Sequence, residues 1–375
     1  MASLRVVQWA TGGVGSIAIA AMAGRPDLDL VGVLVHDPAK VGRDAGALAG
    51  GAPLGVAATD DIDAFLALGA DCCCYAASGE ARADGAAADI ARLLAAGTNV
   101  VTTSLPGLVF PPAFDPALRD QLAAACRAGE TSLYVSGIEP GFAADHLVLV
   151  LSTLSRRITS MRTQELFSYA DYPVTFTMFD VFGFGRPPEQ PCLMEIPGVQ
   201  AGAWGPPVRM VAHHLGVELD EVRETYEKPV TDRRLEVGSV VIEAGTVGAV
   251  RFETIGVIDG RDAIVIEHVN RMAPDLAPDW TVPEVDGTYR IVVEGDPDLT
   301  CDLRVGRPGE ASAAGMVATT MRCVNAIPHV VAADVEDNGV PIQDKCGRHL
   351  GREGERFDTG AGKVGGHQTD LLLLH

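Results

Sequence analysis

The sequence predicts an α/β fold, a doubly wound parallel sheet, followed by an α+β region whose sheet is mostly antiparallel. Three observations carry this. The chain opens on the apolar run Leu4-Arg5-Val6-Val7-Gln8-Trp9, which breaks into Ala10-Thr11-Gly12-Gly13-Val14-Gly15 and then into Ser16–Met22, a strand, a tight turn and a helix. Strand and helix patterns then alternate to about residue 143, as parallel strands joined by helical crossovers require. Beyond about residue 145 the texture turns to β-rich runs with short returns, and Ile258-Asp259-Gly260-Arg261-Asp262 has the chemistry of a hairpin turn.

The first strand is expected at 4–9 and the first helix at 14–24. Between them Ala10 opens the turn, Gly12 lets a phosphate approach the backbone, and Gly15 allows close packing of helix on strand. A helix N-terminus in that position offers unpaired N–H groups and a positive dipole end to an anion. This is dinucleotide-binding geometry of the Rossmann type, with Ala10 in place of the usual first glycine. Leu28–Val35 is nearly all apolar, as a parallel strand buried on both faces should be. It ends in His36-Asp37, about 20 positions beyond the last glycine, where the adenosine ribose is met. An acid there favours NAD, whereas Lys40 and Arg43 just beyond are placed for a 2′-phosphate; NAD and NADP both remain open. Further strands are expected at 71–76, 98–103 and 131–136, and helices at 60–68, 85–96 and 115–128. Ligands of such a sheet lie outside the carboxyl ends of its strands. That rule selects Ala76 and Ser78, then Thr102, Thr103 and Ser104, and finally Glu139, which is held between glycine and proline beyond the last strand.

In the second region an amphipathic helix at 143–154 leads into strands at 158–169, 237–241, 248–258, 263–270, 287–294 and 300–305. A long apolar helix follows at 313–333. The expected division is a dinucleotide-binding domain at 1–143, a substrate-binding and dimerisation domain at 144–312, a helix at 313–333 that returns to the first domain, and an irregular, glycine-rich tail at 334–375.

At 375 residues the chain is long enough for two domains with a large core. Its formal net charge of −21 repels phosphate backbones and anionic membranes, so neither nucleic acid nor a membrane is expected as a partner. No apolar run reaches the roughly 20 residues needed to cross a bilayer, and Met1-Ala2-Ser3 lacks the basic start of a signal peptide. A cytoplasmic location and a small-molecule substrate are expected. Cys72-Cys73-Cys74 alternate between the faces of one strand and cannot converge on a metal. The adjacent His213 and His214 point about 100° apart on a helix. Neither a disulfide nor a metal site is expected.

Four segments of the first half, Ala10–Gly15, Asp44-Ala45-Gly46-Ala47-Leu48-Ala49-Gly50, Asn99-Val100-Val101-Thr102-Thr103 and Gly137-Ile138-Glu139-Pro140-Gly141-Phe142, resemble the N-terminal half of dihydrodipicolinate reductases. They are closer still to 2,4-diaminopentanoate dehydrogenases and native amine dehydrogenases. Gly183-Phe184-Gly185, Glu267-His268-Val269-Asn270-Arg271, Tyr289–Asp296 and Ala318–Pro328 are similar to that group's C-terminal domain, and the resemblance spans roughly residues 4–333. It implies NAD(P)-dependent hydride transfer at a C=N bond, imine reduction or amine oxidation, in a homodimer.

Two departures matter. The paired histidines and lysine of the biosynthetic reductases, expected after Glu165-Leu166-Phe167, are replaced by Ser168-Tyr169-Ala170-Asp171-Tyr172. The glutamate that follows the fourth strand in amine dehydrogenases is replaced by Ser104-Leu105-Pro106. Glu139 is the candidate to return that carboxylate; the alternative is that it pairs with Arg322 and only braces its loop. Asp171 and Tyr172 are further candidates for proton transfer, and Phe142, Phe167, Tyr169 and Asn325 for substrate contact, in a pocket to which Phe179, Phe182 and Trp204 add apolar surface. Gly183-Phe184-Gly185 either closes over the nicotinamide or simply turns the chain. Two rival functions remain: a carbonyl reductase, and a catalytically silent dinucleotide-binding protein.

Overall fold

Apolar strands separated by helices set the first layer. The computed structural model describes residues 3–79, 82–238, 240–307 and 309–333. Its first half runs β1 (Leu4–Trp9), α1 (Gly13–Ala23), β2 (Leu28–Leu34), α2 (Ala45–Leu48), β3 (Ala58–Thr59), α3 (Ile62–Leu66), β4 (Cys72–Tyr75), α4 (Ala83–Ala95), β5 (Asn99–Thr102), α5 (Pro116–Gly129) and β6 (Leu133–Val135). The six strands are all parallel, in the order β3-β2-β1-β4-β5-β6. This is the Rossmann order, and it reverses between β1 and β4, so ligands are drawn to the crevice at the carboxyl ends of those strands. The three cysteines of β4 are fully buried and divide between the two faces. Cys73 joins the layer of Ile90 and Leu93, while Cys72 and Cys74 join that of Ile19 and Met22. Burial pushes the Cys74 thiol up to about 12. The cysteines of the described residues are free.

The second half runs α6 (His146–Ser152), β7 (Arg157–Ser168), α7 (Val199–Ala203), α8 (Gly205–Leu215), β8 (Glu221–Glu227), β9 (Leu235–Val237), β10 (Val240–Ile242), β11 (Ala249–Ile258), β12 (Arg261–Arg271), β13 (Thr288–Asp296), β14 (Leu299–Arg304), α9 (Ala311–Val324) and α10 (Ile327–Val331). Its six-stranded sheet has the order β14-β13-β7-β12-β11-β8, antiparallel except for the β7–β12 pair. Strand register sets what each face carries, because side chains alternate. His268 lies opposite Glu165, Phe252 opposite His268, and Tyr289 opposite Glu165, so all four share one face. Further along that face, Val208, Val211 and Leu215 of α8 pack on Ile264, Ile266 and Ile291. Glu267, next to His268, points to the opposite face. There it accepts from Arg162 at 2.7 Å and Arg251 at 2.6 Å, contacts that outweigh burial and hold its carboxyl below the usual range.

The last helices return to the first sheet. Cys323 and Val324 of α9 and Ile327 and Val330 of α10 are buried with Val6, Ile19 and Val101. Two sequence expectations are corrected, and one strand is new. The helix at 313–333 is two helices, broken at Asn325-Ala326 before Pro328, whose missing N–H suits the first turn of α10. The strand at 237–241 is a short hairpin, β9 and β10, turned by Gly238 at φ +54°. β8 went unread because Glu221-Val222-Arg223-Glu224-Thr225-Tyr226-Glu227 has the polar alternation of an edge strand and no apolar run. The tail at 334–375 lies outside the described residues. Among the described residues no helix is long and apolar enough to cross a membrane.

Candidate active site

The turn after β1 is held by its own backbone and by Gln8. Ala10 adopts φ +71°, the left-handed conformation for which glycine is the usual choice, so it keeps the shape of the turn despite its side chain. Buried Gln8 supports it by donating from Nε2 to the carbonyls of Trp9 at 3.0 Å and Ala10 at 2.9 Å. A Cβ added at Gly15 would sit 2.1 Å from the Ala10 oxygen, which is why this position admits only glycine. Gly12 caps α1 with no side chain over the free N–H groups, and a Cβ there would meet nothing within 4 Å. Lys40 reaches back over the loop, its Nζ 3.1 Å from Thr11 Oγ1 and 3.3 Å from the Thr11 carbonyl. Open space, bare N–H groups and a nearby ammonium fit a pyrophosphate-bearing dinucleotide.

The adenosine end is less as expected. His36 is exposed, and its Nε2 accepts from the indole N–H of Trp9 at 3.1 Å. Asp37 is also exposed and accepts from the Ala39 N–H, which caps the short turn Pro38–Lys40. At the other strand ends, Thr102 Oγ1 donates to the Tyr75 carbonyl and accepts from the Ser104 N–H, while Ser104 Oγ donates to the Ala77 carbonyl. The side chains of Thr102 and Ser104 therefore tie β4 to β5, and Ser104 supplies no acid in place of the missing glutamate. Thr103 and Ala76 are half-buried and Ser78 is exposed.

A buried carboxyl stands at the next strand end. Glu139, beyond β6, extends under the second sheet until its side chain is 1% exposed, and its Oε2 lies 2.9 Å from Nε2 of His268, itself 2% exposed. The same oxygen accepts from the indole N–H of Trp204 at 2.7 Å. His268 is sandwiched, with the Phe252 ring parallel at 4.3 Å and Trp204 edge-on at 4.9 Å. The same nitrogen, Nε2, is 3.8 Å from Glu165 Oε2. Glu165 faces three donors: Tyr169 at 3.2 Å, Asn270 at 3.1 Å and Tyr289 at 3.1 Å. Glu139 Oε1, His268 Nδ1 and Asn270 Oδ1 are buried and have no hydrogen-bond partner among the described residues.

Burial raises the Glu139 carboxyl above its ordinary value, even against the pull of His268. Burial lowers the His268 imidazole, but the facing carboxylates of Glu165 and Glu139 outweigh it and the net shift is upward. Glu139 and His268 thus both hold a proton more tightly than the isolated residues do, and their titrations are coupled. Donor atoms of Glu139, Glu165 and His268 lie within 4.8 Å of one another, a ligand-like group that spacing of cysteines and histidines did not reveal.

Of the other candidates, Tyr169 and Tyr172 reach this cluster: their rings stack at 4.7 Å, and Tyr169 donates to Glu165. Phe167 packs on Tyr289 at 4.9 Å. Asp171 is exposed, its Oδ1 beside Gly238, outside the hydrogen-bonded group around Glu139. Asn325 is corrected: it is exposed at the end of α9, and its Oδ1 accepts from Arg25 at 3.2 Å, so it serves the contact between α9 and α1. The pairing of Glu139 with Arg322 is also corrected, since Arg322 bonds to Ser136, Tyr134 and Gly141 and lies over Phe142. Gly183 and Gly185 are turn residues at φ +76° and +69°, and Phe184 between them is fully buried against Tyr169. Sequence reasoning passed over Glu165, His268, Asn270 and Tyr289 as site residues. The available signal was polar residues at alternate positions, His268 and Asn270, inside an otherwise apolar strand.

The family model described as the 2,4-diaminopentanoate dehydrogenase C-terminal domain matches residues 142–340. An amine dehydrogenase of Streptomyces virginiae is 41% identical over 358 residues, which cover 93% of this chain and 99% of that protein. Among solved structures, an amine dehydrogenase of Mycobacterium smegmatis superposes with a TM-score of 0.69 at 21% identity, covering 88% of this chain and 93% of the other. GenD2 of gentamicin A biosynthesis, solved in complex with NAD, reaches 0.50 at 16% identity, covering 92% and 93%. With a family match over more than half its length and a full-length amine dehydrogenase relative, the chain belongs to the 2,4-diaminopentanoate dehydrogenase family of oxidoreductases.

Proposed function

We propose that the protein is an NAD(P)-dependent amine dehydrogenase acting at the C–N bond of a small, largely apolar primary amine and its imine, with Glu139 as the group that carries the proton. One observation carries this reading: a buried carboxyl with one bonded and one unpartnered oxygen, in a cluster of two carboxylates and a single imidazole. The loop after β1, with Gly12 at the start of α1 and Lys40 beside it, would hold a nicotinamide dinucleotide, which would supply the hydride chemistry. The chain's own groups do the rest. Glu139 Oε1 is free to accept a proton from the substrate ammonium or return one to the imine nitrogen, while Oε2 stays fixed by Trp204 and His268. The surplus negative charge of the cluster complements an ammonium or iminium. Phe252, Trp204 and Tyr169 line it and exclude water, which strengthens that complementarity.

Lys40 beside the phosphate loop, with Asp37 engaged in capping its own turn, favours NADP over NAD. Assembly as a homodimer belongs to the same reading, and sedimentation of the purified protein tests it.

The deciding experiment is turnover of a panel of small apolar amines and of the matching ketones with and without excess ammonia. Ketone reduction that requires ammonia is expected. Equal reduction without ammonia would convert the reading to a carbonyl reductase, and normal dinucleotide binding with no turnover of any substrate would leave a binding protein.

A further inference from the structure

Glu139 sits on a loop, and the structure shows what holds that loop. Three residues on one face of α9 grip the segment from Tyr134 to Phe142. Thr319 Oγ1 accepts from the Ile138 N–H at 3.3 Å. Arg322 donates from Nε to Ser136 Oγ at 3.2 Å, and from Nη2 to the Tyr134 hydroxyl at 2.8 Å and the Gly141 carbonyl at 3.1 Å. Its guanidinium also lies 5.2 Å from the centre of the Phe142 ring. Cys323 Sγ approaches the Ser136 carbonyl at 3.5 Å. The grip closes on both sides of Glu139 and leaves the carboxylate itself to Trp204 and His268. A planar fork with several donors can hold two chain segments in fixed relation, which a flexible ammonium does less well.

We propose that Arg322 is a positioning residue for proton transfer: it fixes the loop so that Glu139 Oε2 meets His268 and Trp204 and Oε1 faces the reacting nitrogen. The inference rests on the reading of Glu139 given above. It distinguishes Arg322 from an ordinary core contact, because its effect passes through one carboxyl group.

A double-mutant cycle tests it, using the full chain with saturating dinucleotide and an amine that the wild type oxidises. Arg322→Met is expected to lower kcat at least tenfold with KM for the amine within about threefold, and to move the ionisation seen in the kcat/KM pH profile. Arg322→Lys, which keeps the charge and loses the fork, should recover only part of the loss. In the Glu139→Gln background the same change should cost little more, since a residue acting through Glu139 has nothing left to position. Should Arg322→Met fail to fold, Arg322→Lys and Thr319→Val are compared on the same scale. Unchanged kcat and pH profile per folded molecule, with only a lower melting temperature, would reduce Arg322 to a structural role. Equal losses from Arg322→Met with and without Glu139 would overturn the inference too. If Glu139→Gln itself leaves turnover intact, the reading of Glu139 fails first, and the cycle shows which of the two has failed.

Discussion

The two halves of the site are made of different material. The loop after β1 presents backbone N–H groups, is exposed at Gly12 and Gly13, and keeps its form with alanine where glycine is usual, because Ala10 can be held at φ +71° by its surroundings. The cluster under the second sheet is made of side chains, is almost wholly buried, and depends on the identity of each. A site of backbone groups tolerates a change of residue that preserves its dihedral angles. A site of side chains depends on which residue stands at each place, and here Ser104 at the end of β5 ties two loops together while the buried carboxyl is that of Glu139 beyond β6.

Four variants sharpen or break that contrast. Glu139→Gln should have the largest effect, lowering turnover by about 10²–10⁴ with general acid–base catalysis removed. Dinucleotide affinity, read by fluorescence titration, should stay the same, because the phosphate loop is untouched; a parallel loss of affinity would mean the halves are not separate. Gly15→Val comes next. Its Cβ would fall 2.1 Å from the Ala10 oxygen, and an overpacked contact of this kind costs about 1–3 kcal/mol or more. Melting temperature and dinucleotide affinity should fall together, and a variant that binds normally would show that the turn is soft.

The third test is stability against pH. Glu139 and His268 are both shifted upward, so the folded chain binds more protons than the unfolded one as pH rises from the ordinary carboxyl range through and beyond the ordinary imidazole value. Stability contributed by the pair is therefore present at acid pH and lost as pH rises. The double variant Glu139→Gln, His268→Gln should show a shallower decline in melting temperature than the wild type between about pH 5 and pH 8. A decline as steep as the wild type's would place the titrating groups elsewhere. Ala10→Gly should be the smallest effect. Relief of a left-handed alanine, worth about 1–2 kcal/mol, is partly offset by the greater freedom of unfolded glycine, leaving a gain of about 1 kcal/mol at most. Its dinucleotide affinity should be nearly unchanged.

These differences also explain what was legible in the sequence. The first sheet announced itself because buried parallel strands are continuous apolar runs and the glycine turn is local, spanning only Ala10 to Gly15. The loop carrying Glu139 was found by the rule for strand ends. Its partners were not, because Glu165 and His268 are 103 positions apart in sequence and meet only through the register of β7 with β12. No local pattern encodes that register. Asn325 differs for the opposite reason: it stands in a segment that resembles the family, yet its side chain faces Arg25 and solvent. Arg322 is the natural ionic partner of Glu139 by charge alone, and only the geometry shows that it holds the loop and leaves the carboxylate to an imidazole.

The return of α9 and α10 to the first sheet has a consequence for how the chain is made. Cys323, Val324, Ile327 and Val330 complete a core whose other members, Val6, Ile19 and Val101, are synthesised more than two hundred residues earlier. Until those helices arrive, the face of the first sheet that α1 covers is only partly packed, and the loop of Glu139 lacks the contacts of Thr319 and Arg322. The loop of Glu139 thus gains its full set of contacts only near the end of translation, and a fragment cut near residue 143 would lack the part of the first sheet's core that α9 and α10 supply.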